Sequence, residues 1–490
     1  MPVNDDIFLG DSGQSIHSFQ NLLQETGIIL ENDFLARKAA FSGKTPQELK
    51  EILKHDVFLP AKGLGSLNTL RLTGQWILPH LVNVASTDYM AHLHCASLTD
   101  SVIAELLLSV YNQSMDSWDQ APMATELELH VLREMAALAG LPTGTDGVFT
   151  SGGSQSNLMG VVLAREDYCT RVLNHDIRKQ GLPPQFSQFR IYTSEVAHFS
   201  IEKSAQLLGL GFRTVRPVPA DKQKKMSIEH LRIMIAEDLA QGNIPIAVSA
   251  TAGTTDFGSI DPLDEIRKIC DEYKIWMHTD AAYGGGLIIS DTYKNRLKGM
   301  ELSDSVTIDL HKMFMQPVSC SVFFLKDPSL FKLLEIHADY LNREEEEDEG
   351  YTHLVGRSLA TTRRFDALKV WMSFKSLGKD VLSKYIESTL ETALAVYEYL
   401  TEAKCFEAVT RPELSSLVFR YLTAMSEEKN EFINITIRKK LIHEKGIVIG
   451  QTRINGKTFL KMTMLNPKIS FDSIKKLLTE IEVMAAELII

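Results

Sequence analysis

Two short apolar segments of this chain, each with the pattern of a buried strand, end in side chains that can act in catalysis. Helix-like sequence separates them, which indicates two parallel strands joined by a helix. The first segment ends at Asp280. The second begins at Ser305 and ends at His311 and Lys312, thirty-two residues after that acid. Parallel strands joined by a helix bring their carboxyl ends to one edge of a sheet, where open α/β sheets bind ligands. The sequence therefore predicts a carboxylate and an amine at the same edge.

A carboxylate and a lysine so placed form the pair that pyridoxal 5′-phosphate enzymes use. The lysine holds the cofactor as a Schiff base, and the aspartate keeps the pyridine nitrogen protonated so that the ring can accept electrons. Taken alone, the pair also suits two ordinary roles, a strand-end aspartate that caps a helix and a solvated lysine. The neighbouring motifs decide between these interpretations.

The pattern along the chain predicts three regions. Residues 1–105 are helical in pattern without regular strands and predict an N-terminal arm, in which Thr45 and Glu48 have the spacing of a capping box at a helix start. Residues 106–375 alternate apolar runs with amphipathic helices, which predicts an α/β domain with a mostly parallel sheet. Residues 376–490 predict a small α+β domain. Strands are expected at residues 147–150, 189–193, 246–250, 275–279, 305–309, 321–325, 416–421 and 459–463, and helices at 382–403 and 470–488.

Composition excludes several classes of protein. The net charge of −12 argues against a nucleic-acid partner, which requires a basic patch. No segment has the roughly 18–20 uninterrupted apolar residues of a membrane helix, and the N-terminus lacks the pattern of a signal peptide. The five cysteines are scattered and show no CxxC spacing, so neither a disulfide framework nor a metal site is expected. A cytoplasmic protein is predicted.

Four further motifs fall where a phosphate-bearing cofactor would need them. A glycine-serine loop containing Gly153 and Ser154 follows a strand and opens a helix, where backbone N–H groups can hold a phosphate. His198 also follows a strand and could stack on a pyridine ring, Thr255 lies in a glycine turn, and Tyr340 precedes the acidic run at residues 344–349, where a lid residue could donate a proton. Each motif also has an ordinary interpretation: a capped turn, a strand-end histidine, a turn threonine and a packing tyrosine.

In their joint order these motifs resemble the group II pyridoxal-phosphate decarboxylases, which have the fold-type I architecture. The resemblance covers essentially the whole chain, including residues 125–128 and 362–371. It implies a homodimer in which the arm wraps the partner subunit. It also implies catalytic roles for Lys312, Asp280, His198 and Tyr340. The cofactor-binding residues that it implies are Gly153, Ser154, His198, Thr255, Asp280, Ala282, His311 and Lys312.

The substrate is less constrained than the cofactor. Within the family, residues 89–95, 112–120 and 311–317 look most like those of the bacterial L-2,4-diaminobutyrate decarboxylases. Where glutamate decarboxylases carry an arginine for a substrate carboxylate, this chain has Lys461, which weakens glutamate without excluding a short acidic substrate. Diaminobutyrate is the expected substrate, and aspartate, glutamate and aromatic amino acids are alternatives. An aminotransferase and a non-catalytic scaffold are the two other classes of protein that remain open.

Overall fold

The protein is described by a computed structural model that covers residues 7–338, 341–342, 345–346 and 349–489. Its α-helices are α1 (Gly13–Ala36), α2 (Pro46–Leu53), α3 (Ser66–Trp76), α4 (Thr99–Tyr111), α5 (Pro122–Leu138), α6 (Gly153–Leu173), α7 (Ile177–Gln180), α8 (Ser200–Leu207), α9 (Ile228–Ala240), α10 (Leu263–Tyr273), α11 (Ala367–Glu402), α12 (Glu427–Lys440) and α13 (Phe471–Ile489).

The strands are β1 (Tyr89–Met90), β2 (Asp146–Thr150), β3 (Phe189–Ser194), β4 (Val215–Val218), β5 (Ile244–Thr251), β6 (Trp276–Asp280), β7 (Ser305–Asp309), β8 (Ser321–Leu325), β9 (Phe406–Ala408), β10 (Ser416–Tyr421), β11 (Val448–Ile454) and β12 (Lys457–Thr463). All eight strands expected from the sequence are present, with bounds shifted by up to two residues. In the described part of the chain no helix is both long and apolar enough to cross a membrane.

The chain divides into two compact units. The first comprises Met1–His92, Thr423–Leu460 and Leu478–Ile490, and the second comprises Leu93–Leu422 and Lys461–Leu477. In the first unit, α1 packs against α3, and β1 pairs in parallel with β11. The capping box predicted at the start of α2 is present, with both of its reciprocal hydrogen bonds.

The second unit contains a seven-stranded sheet in the order β2-β8-β7-β6-β5-β3-β4. The pairs β7–β6, β6–β5, β5–β3 and β3–β4 are parallel, and β8 is antiparallel to both of its neighbours. The predicted α/β class with a mostly parallel sheet is therefore confirmed. Strands β6, β7 and β8 are buried along their whole length, as expected when helices cover both faces of a sheet.

Strand register brings the functional segments to one edge of this sheet. Thr251 pairs with Asp280, and Asp309 pairs with Ser321, which also pairs with Thr150. Since β2, β5, β6 and β7 run in the same direction, the segments that follow their carboxyl ends leave the sheet together. The topology thus places the predicted acid and the predicted lysine segment on neighbouring strands.

Two local features differ from the sequence-based expectation. The helix expected at residues 382–403 is part of α11, which begins at Ala367 and is interrupted where Gly378 adopts a φ of 71°. Only glycine enters that region of backbone conformation easily, so the interruption is encoded locally. Strands β1, β4, β9 and β11 were not predicted. Of these, β4 contains Pro217 and lies at the edge of the seven-stranded sheet, where a missing N–H group is tolerated.

Candidate active site

The predicted acid and lysine both lie at the carboxyl edge of the sheet. Asp280 is the last residue of β6 and is 7% exposed. Lys312 lies three residues beyond the end of β7, and its Nζ is 2.8 Å from Oδ2 of Asp309. The ion partner of the lysine is therefore Asp309, the last residue of β7, for which no role was predicted.

Asp309 is a buried carboxylate with two basic side chains beside it. His311 Nε2 lies 3.6 Å from its Oδ2, on the same side as Lys312. Burial alone would raise the pKa of Asp309, but the charges of Lys312 and His311, together with hydrogen bonds to the carboxylate, outweigh burial and lower that pKa below its ordinary value. Its second oxygen, Oδ1, is buried and has no hydrogen-bond partner among the described residues. Buried polar atoms are nearly always satisfied in proteins, so this oxygen marks a place where another group is expected.

Asp280 is held differently, by two neutral N–H donors. The backbone N–H of Ala282 donates to Oδ1 at 3.0 Å, and Asn157 Nδ2 donates to Oδ2 at 2.7 Å. Donors of this kind stabilise negative charge without supplying a neutralising cation. The carboxylate is thus fixed in place, and its charge remains available to a cationic group of a ligand.

A chain of hydrogen bonds runs from Trp276 through Ser305, His278 and Asn157 to Asp280. Asn157 uses its amide N–H groups on Asp280 and on Ser200, so its Oδ1 must accept, and His278 Nε2 at 2.9 Å must donate. His278 Nδ1 then accepts from Ser305 Oγ at 2.8 Å, while that hydroxyl accepts from Trp276 Nε1 at 3.0 Å. Each donor and acceptor has one consistent role, which fixes the histidine as its neutral Nε2–H tautomer.

His278 is fully buried, and its burial lowers the pKa of the imidazole far below the ordinary value of 6.5, although the charge of Asp280 opposes this shift. Gly160 on α6 makes room for the ring, because a Cβ at that position would lie 2.6 Å from His278 Nδ1. A side chain at position 160 would therefore displace the ring from Asn157.

The glycine-serine loop is built on buried hydroxyl groups. Thr150 Oγ1 lies 2.6 Å from Ser156 Oγ, which is 3.2 Å from Ser321 Oγ. Gly153 is the first residue of α6, and a Cβ on it would lie 2.9 Å from Oδ2 of Asp309. The predicted residue Ser154 follows in the first turn of the helix and is exposed. The loop thus leads into α6, a long helix whose N-terminus lies beside Asp309.

A buried ion pair holds the strand that leads into this loop. Glu128 accepts from the backbone N–H of Phe149 at 3.2 Å and from Arg363 at 3.0 Å. The guanidinium of Arg363 also donates to the carbonyl of Phe149 at 3.1 Å. The two sequence segments that contributed to the family resemblance, residues 125–128 and 362–371, thus meet here and clamp the end of β2.

His198 lies between β3 and α8 and is half-buried. Its Nδ1 accepts from the backbone N–H of Ser200 at 3.3 Å. Burial lowers the pKa of His198, and the charge of Lys312 lowers it further, while the charges of Asp280 and Asp309 oppose the shift. Asp280, Asp309 and Lys312 therefore all lie near enough to His198 to act on its charge.

The remaining predicted residues have the following positions. Thr255 lies in the loop after β5, and its carbonyl accepts from Lys461 Nζ at 3.4 Å. Ala282 is buried beside Gly153, with its Cβ 3.2 Å from the position that a Cβ of that glycine would take. His311 Nδ1 is 2.8 Å from the carbonyl oxygen of Cys320. Tyr340 lies outside the described residues, so its predicted role stays a prediction.

Known proteins resemble this chain in sequence and in fold. Residues 52–422 match the model of the pyridoxal-dependent decarboxylase conserved domain. The L-2,4-diaminobutyrate decarboxylase of Acinetobacter baumannii is 36% identical over 483 residues, which cover 96% of this chain and 94% of that protein. The enzyme of the same name from Rhizobium meliloti (strain 1021) is 38% identical and covers 99% of this chain and 95% of its own length.

A crystal structure from Vibrio parahaemolyticus has the same fold, with a TM-score of 0.90 and 34% sequence identity. The match covers 99% of this chain and 98% of the other. That protein is described as the glutamate decarboxylase domain of diaminobutyrate-pyruvate transaminase and L-2,4-diaminobutyrate decarboxylase.

Proposed function

Because this chain belongs to the pyridoxal-dependent decarboxylase family, we propose that it converts L-2,4-diaminobutyrate into 1,3-diaminopropane and CO₂. It is a pyridoxal-phosphate-dependent amino acid decarboxylase, a carboxy-lyase. The choice of substrate rests on one observation: two curated diaminobutyrate decarboxylases align with nearly the whole chain at 36% and 38% identity.

The described residues fit pyridoxal phosphate. The N-terminus of α6 at Gly153 presents backbone N–H groups, and helix N-termini attract phosphate. A Cβ at this glycine would lie 2.9 Å from Oδ2 of Asp309, so only glycine lets the start of the helix pack this closely against that carboxylate. Oδ1 of Asp309, which has no hydrogen-bond partner among the described residues, would lie 3.1 Å from the same Cβ. Gly153 and Ser154 are therefore proposed to hold the phosphate, with Ala282, Thr255 and His311 around the ring.

The reacting residues are proposed as follows. When bound, pyridoxal phosphate supplies the electron sink that takes up the electron pair of the breaking bond between Cα and the carboxylate. Lys312 Nζ would hold the cofactor covalently, and Asp280 would hold a proton on the pyridine nitrogen. The half-buried ring of His198 would lie against the face of the cofactor and keep water from the departing carboxylate. Tyr340 is proposed, from the family resemblance alone, to donate the proton to Cα.

Asp280 can hold that proton because of its surroundings. Its side chain accepts hydrogen bonds from two neutral N–H groups, and none of the described residues offers a cation that would compete with a protonated ring nitrogen for the negative charge. Lys312, in contrast, already has Asp309 as an ion partner. Asp280 and Lys312 are therefore not paired with each other. Asp280 is available for the ring nitrogen of the cofactor, and Lys312 for the covalent bond to it.

The active assembly is proposed to be a cytoplasmic homodimer with no nucleic-acid partner. Support comes from the arm, whose side chains of Phe34, Leu35, Phe58 and Leu59 are 57–95% exposed. Apolar surface of this extent is expected to be covered by another subunit. Light scattering of the purified protein should give twice the mass of the chain.

A panel of L-amino acids tests the substrate. The protein, purified with its cofactor, would be mixed with diaminobutyrate, ornithine, aspartate, glutamate and an aromatic amino acid, while CO₂ and the amine product are measured. Diaminobutyrate should give the highest kcat/KM, with 1,3-diaminopropane formed in equal amount to CO₂. A higher kcat/KM for any other member of the panel would contradict the proposed substrate while leaving decarboxylation in place.

A further inference from the structure

The loop after β5 carries an acidic residue that the reaction described above does not use. Asp256 follows Thr255 directly, and its side chain is 34% exposed. Lys461 on β12, whose side chain is only 6% exposed, donates to Asp256 Oδ1 at 3.0 Å. The same ammonium group reaches the carbonyl of Thr255 at 3.4 Å. A buried lysine thus fixes one oxygen of a carboxylate that solvent can still reach.

This loop is tied to the strand that ends in Asp280. The backbone N–H of Ala252 donates to the carbonyl of Asp280 at 2.8 Å. One residue further, Gly253 packs so closely against the segment after β6 that a Cβ would lie 2.9 Å from the N–H nitrogen of Gly284 and 3.2 Å from the Cβ of Tyr283. The start of the loop that carries Asp256 is therefore fixed against the end of β6 and the segment that follows it.

The chemistry of a diamino acid shows why a carboxylate is needed. Its α-ammonium group is consumed when the substrate joins the cofactor, and its carboxylate departs as CO₂. The distal ammonium is the one charged group of the substrate that remains throughout the reaction, so it is the group by which the enzyme can distinguish a diamino acid from other amino acids. A distal carboxylate, as in aspartate or glutamate, would instead need a cation. The nearby cation Lys461 is already paired with Asp256.

We propose that Asp256 binds the distal ammonium of the substrate and that Lys461 is the residue that positions it. This inference rests on the proposed function and extends it to the residue that selects a dibasic amino acid. Lys461 contributes to substrate selection in two ways. It orients the carboxylate of Asp256 through a hydrogen bond to Oδ1, and because it is paired with Asp256 it attracts an acidic substrate less strongly. The preference for diaminobutyrate over acidic amino acids then follows from one ion pair.

The test compares L-2,4-diaminobutyrate with L-2-aminobutyrate, which has the same carbon chain without the distal ammonium. In the wild-type holoenzyme, kcat/KM should strongly favour diaminobutyrate. Asp256→Asn should reduce that preference by about tenfold to a hundredfold, the usual effect of losing a hydrogen bond to a charged group. Asp256→Glu keeps the charge and should restore part of the preference. Asp291→Asn removes an exposed aspartate that is also paired with lysine and serves as the matched control.

Inhibition by amines gives a second measurement without turnover. 1,3-Diaminopropane should inhibit the wild type more strongly than n-propylamine, and Asp256→Asn should remove most of that difference. If Asp256→Asn slowed both amino acids equally, or neither, and the two amines still differed, Asp256 would be a structural residue. Such a result would leave the proposed substrate intact, since only the amino acid panel on the wild type tests that proposal.

Discussion

Two buried aspartates end neighbouring parallel strands of this protein, and their surroundings differ. Asp280 receives hydrogen bonds from the neutral groups of Asn157 and Ala282. Asp309 instead pairs with Lys312, has His311 nearby, and has one oxygen without a partner among the described residues. The first site is complete without a cation and can accept one from a ligand. The second depends on a cation of the chain itself.

The comparison is tested most strongly by Lys312→Ala. Activity should be lost entirely, because Lys312 is the lysine proposed to hold the cofactor covalently, and borohydride reduction should no longer fix the cofactor to the peptide that contains residue 312. The cofactor-free variant should also lose about 3 kcal/mol of unfolding free energy, since Asp309 would keep a buried, unpaired charge. Urea unfolding at fixed protein concentration measures this loss.

A double variant shows how much of the stability lost in Lys312→Ala comes from the unpaired charge of Asp309 and how much from the missing lysine side chain. Adding Asp309→Asn to Lys312→Ala should restore most of the lost unfolding free energy, because the unpaired charge is then removed. Activity should not return. If the double variant were no more stable than Lys312→Ala alone, the ion pair between these residues would contribute little, and the contrast between the two aspartates would fail.

The sequence predicted one of these two aspartates and not the other. Asp280 stood out because an apolar run ended in it, a pattern that α/β sheets use for ligand-binding residues. Asp309 belongs to the same motif as Lys312, but spacing along a strand does not reveal that an amine three residues later turns back to pair with it. That contact depends on the turn that follows β7, which only the folded chain defines.

The hydrogen-bond chain behind Asp280 was also missed, although part of its signal was present. His278 and Asp280 are two residues apart on β6 and so face the same side of the sheet, as Ser305 and Asp309 do on β7. What the sequence could not supply is the packing of α6 against these strands, which brings Asn157 to within 2.7 Å of Asp280. Contacts between distant segments decide this part of the site.

Asp280→Asn should have the next largest effect. The amide oxygen can keep one of the two hydrogen bonds that Asp280 accepts from Asn157 and Ala282, so the fold should be kept, but the negative charge that would hold a protonated ring nitrogen is gone. A decrease in kcat of at least about a hundredfold is expected, as for the loss of a preorganised charged contact at a reacting centre. Asp280→Glu should be less damaging. Near-normal turnover of Asp280→Asn would show that the residue is only structural.

Gly160→Ala tests the hydrogen bonds from His278 and Asn157 that position Asp280, and leaves Asp280 itself unchanged. The added methyl group would lie 2.6 Å from His278 Nδ1, so the ring must move and Asn157 loses its partner. Activity should fall by about tenfold to a hundredfold, since misplacing a reacting group by about 1 Å has effects of this size. Gly27→Ala, in the interior of α1 with nothing within 4 Å of the added Cβ, is the matched control and should not reduce activity.

The smallest effect is expected at Asp291, a carboxylate that pairs with two lysines on the surface instead of in the site. Hydrogen bonds from Lys294 and Lys379 lower its pKa to about 2, yet the group is fully exposed. Because its pKa is lower in the folded state than the ordinary 3.8, any stabilisation it provides is present above pH 3.8 and lost as the pH falls toward 2. At neutral pH and physiological salt, solvent screens both pairs. Asp291→Asn should therefore leave both kcat/KM and the midpoint of urea unfolding close to the wild-type values. A loss of stability as large as that of Lys312→Ala would mean that burial does not explain the difference between the carboxylates of this protein, and that the number of lysine partners does.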